Sequence, residues 1–204
     1  MSLLPIHLTA ERGNWQLFKA RKNNSRFLAF EQKILKRDDY TCRYCGFKSL
    51  EYQTVVNHDQ NYKNNKANNL VTACPFCYQC LFLDALVNPN LGGGYIIYLP
   101  EISQADLNNF CRVLFSCLLK NAPYKGKLQT TYLSFKDRSK PIEETFGPGS
   151  SNPAIFGQTI IDSSLSKKDL SHPILTQLRL LPERKFFEQQ ILYWKTNIFD
   201  KIPL

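Results

Sequence analysis

Two pairs of cysteines carry the clearest chemistry in the chain: Cys42 with Cys45, and Cys74 with Cys77, separated by twenty-eight residues. A two-residue gap lets both thiolates of a CxxC knuckle reach one tetrahedral ion at ~2.3 Å. Four soft sulfur ligands select zinc or an iron–sulfur cluster over hard cations. With every ligand supplied by protein, the ion keeps no open position, so the expected cofactor is one structural Zn²⁺ held by Cys42, Cys45, Cys74 and Cys77. Disulfide pairing is the weaker reading, because nothing in the sequence marks a secreted chain. Cys80 lies one helical turn past Cys77 and could substitute as a ligand, although a buried thiol is the simpler reading. Cys111 and Cys117 have no CxxC partner and read as core thiols. His7 and His172 have no partner pattern and read as structural.

The residues between the pairs form a second pattern. Val55-Val56-Asn57-His58-Asp59 reads as a strand ending in a histidine, Gln60 to Asn68 as a polar loop, and Asn69-Leu70-Val71 as the approach to the second knuckle. Strand, histidine, loop, Asn-Leu and CxxC together resemble the HNH nuclease core, a ββα-metal fold in which a zinc knuckle props a catalytic hairpin and helix. The resemblance aligns His58 with the general base that activates water and Asn69 with the asparagine that braces the loop. It also places Asn57 and Tyr78 where the family carries the ligands of a catalytic divalent cation. A neutral amide and a phenol are poor ligands for a hard cation. Asp59 is one residue off, and on an extended strand it points away from the face of His58. The resemblance therefore implies a retained scaffold without a catalytic site, His58 and Asn69 being vestigial candidates.

Over its whole length, through CRYCGFKS, VVNHDQNYKNN and NNLVTACPFCYQC, the sequence also resembles a family of cytosolic subunits of the Dot/Icm type IVB secretion coupling complex. That resemblance implies a non-catalytic, zinc-stabilised adaptor. It would dock on the C-terminal tail of the coupling ATPase DotL beside other coupling-complex subunits, support effector export, and sit peripheral to the inner membrane. The competing readings are a metal-dependent HNH endonuclease, with His58 as base and Asn57 or Asp59 as makeshift ligand, and a nucleic-acid binder that does not cut.

Length and composition bound these readings. The 204 residues suit one domain, or one core with a large extension. A 43% hydrophobic and 13% aromatic content argues against intrinsic disorder. No apolar run approaches the ~20 residues of a membrane span, and Met1 to Ala10 lacks the basic start of a signal peptide. A soluble, intracellular chain is expected. The net charge of +9 is unevenly placed. Residues 1–50 hold ten Lys and Arg against four Asp and Glu, whereas Tyr40 to Asn90 holds four against three. A nucleic-acid-cutting hairpin would gather cations to grip phosphates, so nucleic acid is an unlikely partner. The upstream cations, Lys19, Arg21, Lys22, Arg26, Lys33, Lys36 and Arg37, could meet an acidic protein segment instead.

The elements expected to position these residues follow from periodicity. The fold class expected is α+β, an HNH-like, treble-clef-like ββα zinc core with additional helices. Residues 1–39 form a basic segment and helix, 40–90 the zinc core, and 91–204 a mainly helical extension packed on it. Residues 1–24 read as a strand or hairpin, and a helix capped by Ser25 runs to about Asp38, presenting Phe27, Phe30, Ile34 and Leu35. Tyr78 to Val87 reads as helix and Tyr95 to Leu99 as a short strand. A capping box of Ser103 and Asp106 opens a helix over Gln104 to Lys120, with Leu107, Phe110, Leu114 and Leu118 on one stripe. The breaker-rich loop around Gly147 to Pro153 resists regular structure, and Ile155 to Ile161 should return to the core. The last helix runs from Pro182 to about Phe199 with Phe187, Ile191, Trp194 and Ile198 in line. Its many other large rings suggest burial on two sides or a partner surface.

Overall fold

The computed structural model describes residues 2–120, 124–163 and 173–201. Its first residues form an extended strap over the centre of the molecule. Leu4 N–H donates to Arg43 O at 2.8 Å, Thr9 N–H donates to Cys80 O at 2.9 Å, and Thr9 O accepts from Leu83 N at 3.1 Å. The strand or hairpin expected across residues 1–24 is replaced, beyond Gly13, by helix α1 (Asn14–Arg21). Gly13 takes the left-handed conformation, φ 87°, just before it. Trp15, Phe18 and Arg21 follow at helical spacing, and Phe18 is buried against Trp15, Tyr62, Tyr78 and Phe82. Tertiary aromatic packing, absent from the local sequence, sets this element.

Helix α2 (Ser25–Arg37) stands where expected, but its cap is Asn24, whose Oδ1 accepts from Phe27 N at 3.1 Å. Its Ile34 and Leu35 form a small cluster with Val55 and Leu70. Those two residues belong to the hairpin of β1 (Thr54–Asn57) and β2 (Leu70–Ala73), antiparallel with Val55 opposite Thr72 and Asn57 opposite Leu70. Every residue of both strands is buried, so neither alternates in polarity. Helix α3 (Pro75–Tyr78) follows at once. The longer helix expected over Tyr78 to Val87 is instead two 3₁₀ turns, Gln79–Leu81 and Leu83–Val87. Phe82 leaves the helical region between them, φ −142°, because the strap engages Cys80 O and Leu83 N through Thr9.

The second half wraps this centre. Strand β3 (Gly94–Tyr98) pairs antiparallel with β4 (Leu178–Pro182), a strand the sequence reading did not contain. Gly94 has φ 154°, and a Cβ there would stand 1.9 Å from Leu181 O, so only glycine admits this pairing. Helix α4 (Gln104–Lys120) opens on the expected capping box, with Ser103 Oγ accepting from Asp106 N at 3.1 Å. Helices α5 (Lys125–Asp137), α6 (Lys140–Phe146), α7 (Pro153–Asp162) and α8 (Pro173–Thr176) follow. Glu143 accepts from the backbone of Gly149 and Ser151 and so orders the breaker-rich loop. Ile155 to Ile161 returns to the core as α7, where Gly157 lies against the backbone of Leu83 and Asp84. The last helix, α9 (Glu188–Asn197), starts six residues later than expected, because Pro182 closes β4 and Arg184–Phe186 is a 3₁₀ turn. Phe187, Ile191 and Trp194 are buried as expected, in an apolar cluster that runs from Ala10 to Trp194 and includes all four knuckle cysteines. The other rings of this region, Phe186, Tyr193 and Phe199, pack partly buried against the same cluster. Among the described residues no helix is long and apolar enough to cross a membrane.

Candidate metal centre

The first knuckle is a tight turn between Thr41 and Lys48, which form an isolated antiparallel bridge. Cys42 N–H donates to Phe47 O at 2.9 Å, and Gly46, at φ 75°, donates back to Cys42 O at 2.9 Å. The second knuckle is the start of α3, with Cys74 as its N-cap, so Cys77 lies one turn on and its N–H donates to Cys74 O at 2.9 Å. The hairpin joins the two, since Arg43 N–H donates to Thr72 O at 2.8 Å.

These constraints bring the four Sγ atoms within 4.8 Å of one another, all buried. Cys45 and Cys74 sulfurs are 3.6 Å apart, against ~3.8 Å between sulfurs in a tetrahedral site with 2.3 Å bonds. The group has the number, type and spacing of donors for one metal ion. No sulfur of Cys80, Cys111 or Cys117 belongs to it. All three of those thiols are buried, and Cys80 Sγ donates to Phe76 O at 3.4 Å. Burial pushes the Cys74 and Cys77 thiols well up. Hydrogen bonds with the other three cysteines, with Arg112 beyond them, hold Cys45 well down. Four thiolates this close repel one another unless a cation compensates them.

Three side chains of α4 reach the same sulfurs or their backbone, and sequence reasoning did not single them out. Arg112 Nη2 lies 3.2 Å from Cys74 Sγ and 3.8 Å from Cys45 Sγ. Asn108 Nδ2 donates to Cys77 Sγ at 3.3 Å and to Phe76 O at 3.1 Å. Asn109 Nδ2 donates to Cys45 O at 3.1 Å. Arg112 is only 1% exposed. The available signal was polar: Gln104, Asn108 and Arg112 repeat every four residues on a helix that must bury most of its surface.

Of the positions singled out by the nuclease resemblance, Asn57, His58, Asp59 and Asn69 lie at the loop end of the hairpin, and Tyr78 ends α3. β1 ends at Asn57, one residue before His58, so strand alternation does not govern His58 and Asp59. His58 is exposed, and its N–H donates to Asn69 O at 2.8 Å. Asn69 accepts from Asp59 N at 3.1 Å and donates to Asp59 Oδ1 at 2.9 Å and Asn64 O at 2.8 Å, which ties the loop to the hairpin. Asn57 is fully buried and its amide is occupied: Oδ1 accepts from Arg21 Nη1, and Nδ2 donates to Asn61 O at 2.9 Å and Asn64 O at 2.7 Å. The Tyr78 ring stacks on Phe18 at 6.2 Å, and burial lifts its phenol to about 12. His172 lies outside the described residues, and His7 is exposed on the strap.

The upstream cations, read together as one surface cluster, are divided by the fold. Arg21 is buried beneath the rings of Phe18, Phe27 and Tyr62, where burial lowers its pKa to about 10, and it also donates to Val55 O. Lys22 pairs with Glu31, which also accepts from Val55 N at 2.9 Å. Arg37 holds the carbonyls of Ala67 and Leu70, each at 2.7 Å. Lys19, Arg26, Lys33 and Lys36 remain exposed.

Fold and site together define an α+β protein closed around a cluster of four buried cysteines that could hold a metal ion. No family model matches the chain. It is 46% identical over 197 residues, 97% of its own length and 92% of the relative's, to the type 4 apparatus protein DotN of Legionella pneumophila subsp. pneumophila strain Philadelphia 1. The chain belongs to the DotN family.

Proposed function

We propose that the chain is a zinc-stabilised, non-catalytic adaptor subunit of a type IV secretion coupling complex, binding the C-terminal tail of the coupling ATPase DotL. The observation that carries this reading is the match to DotN along nearly the full length of both chains. The element order supports an HNH-like ββα core: knuckle, β1, loop, β2, then α3 bearing the second knuckle. Zinc suits four thiolates in a closed tetrahedral site, where it supplies folding energy and no reaction.

The state of Asn57 supports the absence of catalysis. Hydrolysing a phosphodiester in this way needs a base, a divalent cation on the phosphate oxygens, and a fold that aims both. A cation at Asn57 would have to displace the guanidinium of Arg21 from its buried oxygen. The competing endonuclease reading draws on exposed His58 and the loop braced by Asn69. Purified protein with Mg²⁺ or Mn²⁺ is expected to leave plasmid and single-stranded DNA intact, and His58→Ala to leave partner binding unaltered. Cleavage that follows the protein through purification and vanishes in His58→Ala would establish the nuclease instead.

The surface proposed to meet an acidic partner segment is narrower than the sequence suggests. Arg26, Lys33 and Lys36 lie on the exposed side of α2, opposite Glu31, Ile34 and Leu35. Arg37 is excluded because it holds the hairpin. Reversing Arg26, Lys33 and Lys36 to Glu is expected to slow association with the DotL tail about tenfold at low salt and to flatten its salt dependence. Stopped-flow association with an unchanged rate would remove α2 from the interface. Capture of coupling-complex subunits from native lysate, read by mass spectrometry, tests the adaptor assignment as a whole.

A further inference from the structure

The described residues bury one guanidinium against sulfur, and its setting is built. Arg112 projects from the middle of α4 between Phe47, Phe76 and Trp194, with its Cζ 3.8, 5.2 and 5.2 Å from the three ring centroids. Its Nη1 is held by Asn109, one turn back on the same helix, while Nη2 faces the sulfurs of Cys74 and Cys45. A divalent ion with four thiolates carries a net charge of −2. Burying that charge in an apolar cluster is costly unless an opposite charge lies close by. A guanidinium suits the task, because it is weakly hydrated, stacks on rings and offers several donors at once.

We propose that Arg112 is the built-in counter-ion of the four-cysteine centre, with Asn108 as a second donor to its sulfurs. Arg112 is a positioning residue, not a ligand. Its N–H groups stabilise the thiolates of Cys74 and Cys45, and Asn108 does the same for Cys77. Outer-shell partners of this kind orient ligands and tune metal affinity. Because these side chains belong to α4, metal loading and the docking of the second half of the chain become one equilibrium. With the metal bound, the guanidinium has its anion.

The inference rests on the metal-centre reading, so the experiment separates the two. Wild type, Arg112→Met and Arg112→Lys are loaded with Co²⁺, and the thiolate-to-metal absorption reports occupancy and ligand set. Transfer of bound Zn²⁺ to an excess chelator is then timed, and the loaded proteins are melted. Arg112→Met keeps the length and ring packing but loses the charge; Arg112→Lys keeps the charge but loses the planar fork. Arg112→Met is expected to keep the four-sulfur spectrum yet release zinc about tenfold faster or more, since hydrogen bonds from charged groups are the stronger ones. Arg112→Lys should stay closer to wild type. Loaded Arg112→Met should also melt below loaded wild type. If Arg112→Met does not accumulate, Arg112→Gln, neutral but still a donor, takes its place in the same comparison. Wild-type release from the neutral variant, or faster release from Lys than from Met, would overturn the counter-ion role in favour of simple packing. Failure of the wild-type protein to bind stoichiometric Co²⁺ or Zn²⁺ would remove the metal centre itself.

Discussion

Cys74→Ser is expected to abolish metal binding and folding together. Cys74 is the N-cap of α3, faces Cys45 at 3.6 Å, and lies inside the main apolar cluster, so its sulfur joins both knuckles to the hairpin. In small closed sites of this type the metal-binding free energy is largely folding free energy, ~10 kcal/mol or more at neutral pH. That exceeds or matches the typical stability of a domain, ~5–15 kcal/mol. The variant should purify without zinc, lose its near-ultraviolet circular dichroism and melt without a cooperative transition. Chelator-stripped wild type should do the same. A metal-free Cys74→Ser protein that melts like its parent would show that the apolar cluster alone sustains the fold.

Trp194→Ala should destabilise the protein strongly while leaving the metal bound. Trp194 is fully buried on α9 and meets Phe47 of the first knuckle at 5.1 Å and Phe76 of the second at 5.3 Å. Truncating such a ring removes its transfer free energy and leaves a cavity, ~3–5 kcal/mol in total. For a chain of this size each kcal/mol moves the melting temperature by ~2–4 °C. A fall of roughly 6–20 °C is therefore expected with one equivalent of zinc retained, because no knuckle bond depends on the indole. A smaller shift would mean that α9 docks loosely, and loss of zinc would mean that α9 closes the metal centre as well as covering it.

The cluster of four cysteines was legible because its information is local. A CxxC spacing, a glycine after the second cysteine and a proline after the third specify two tight turns before any long-range contact forms. The helices α2 and α4 were legible for a related reason: each carries its apolar stripe within its own residues, although the cap of α2 is Asn24 and not Ser25. Strand β4 was not, because Leu178 to Pro182 has no strand signature apart from its partner β3, some eighty residues earlier. The 3₁₀ turns after α3 were likewise invisible, since a helical pattern there is overridden by hydrogen bonds to Thr9 of the strap.

The roles of charged residues divided along the same line. Lys19, Arg21, Lys22, Arg26 and Arg37 look alike in the sequence, and only tertiary packing separates Arg21, sealed against Asn57, from Arg26, left in solvent. Arg112 sits among apolar neighbours in a helix and says nothing locally about sulfur. What the sequence determined by itself was which atoms could hold a soft metal ion, because ligand type and spacing are properties of a few consecutive residues. What only the tertiary structure decided was which cation stands beside the cysteine sulfurs and which group occupies the buried amide of Asn57. Those depend on guanidinium groups delivered from helices 38 and 36 residues distant in the chain.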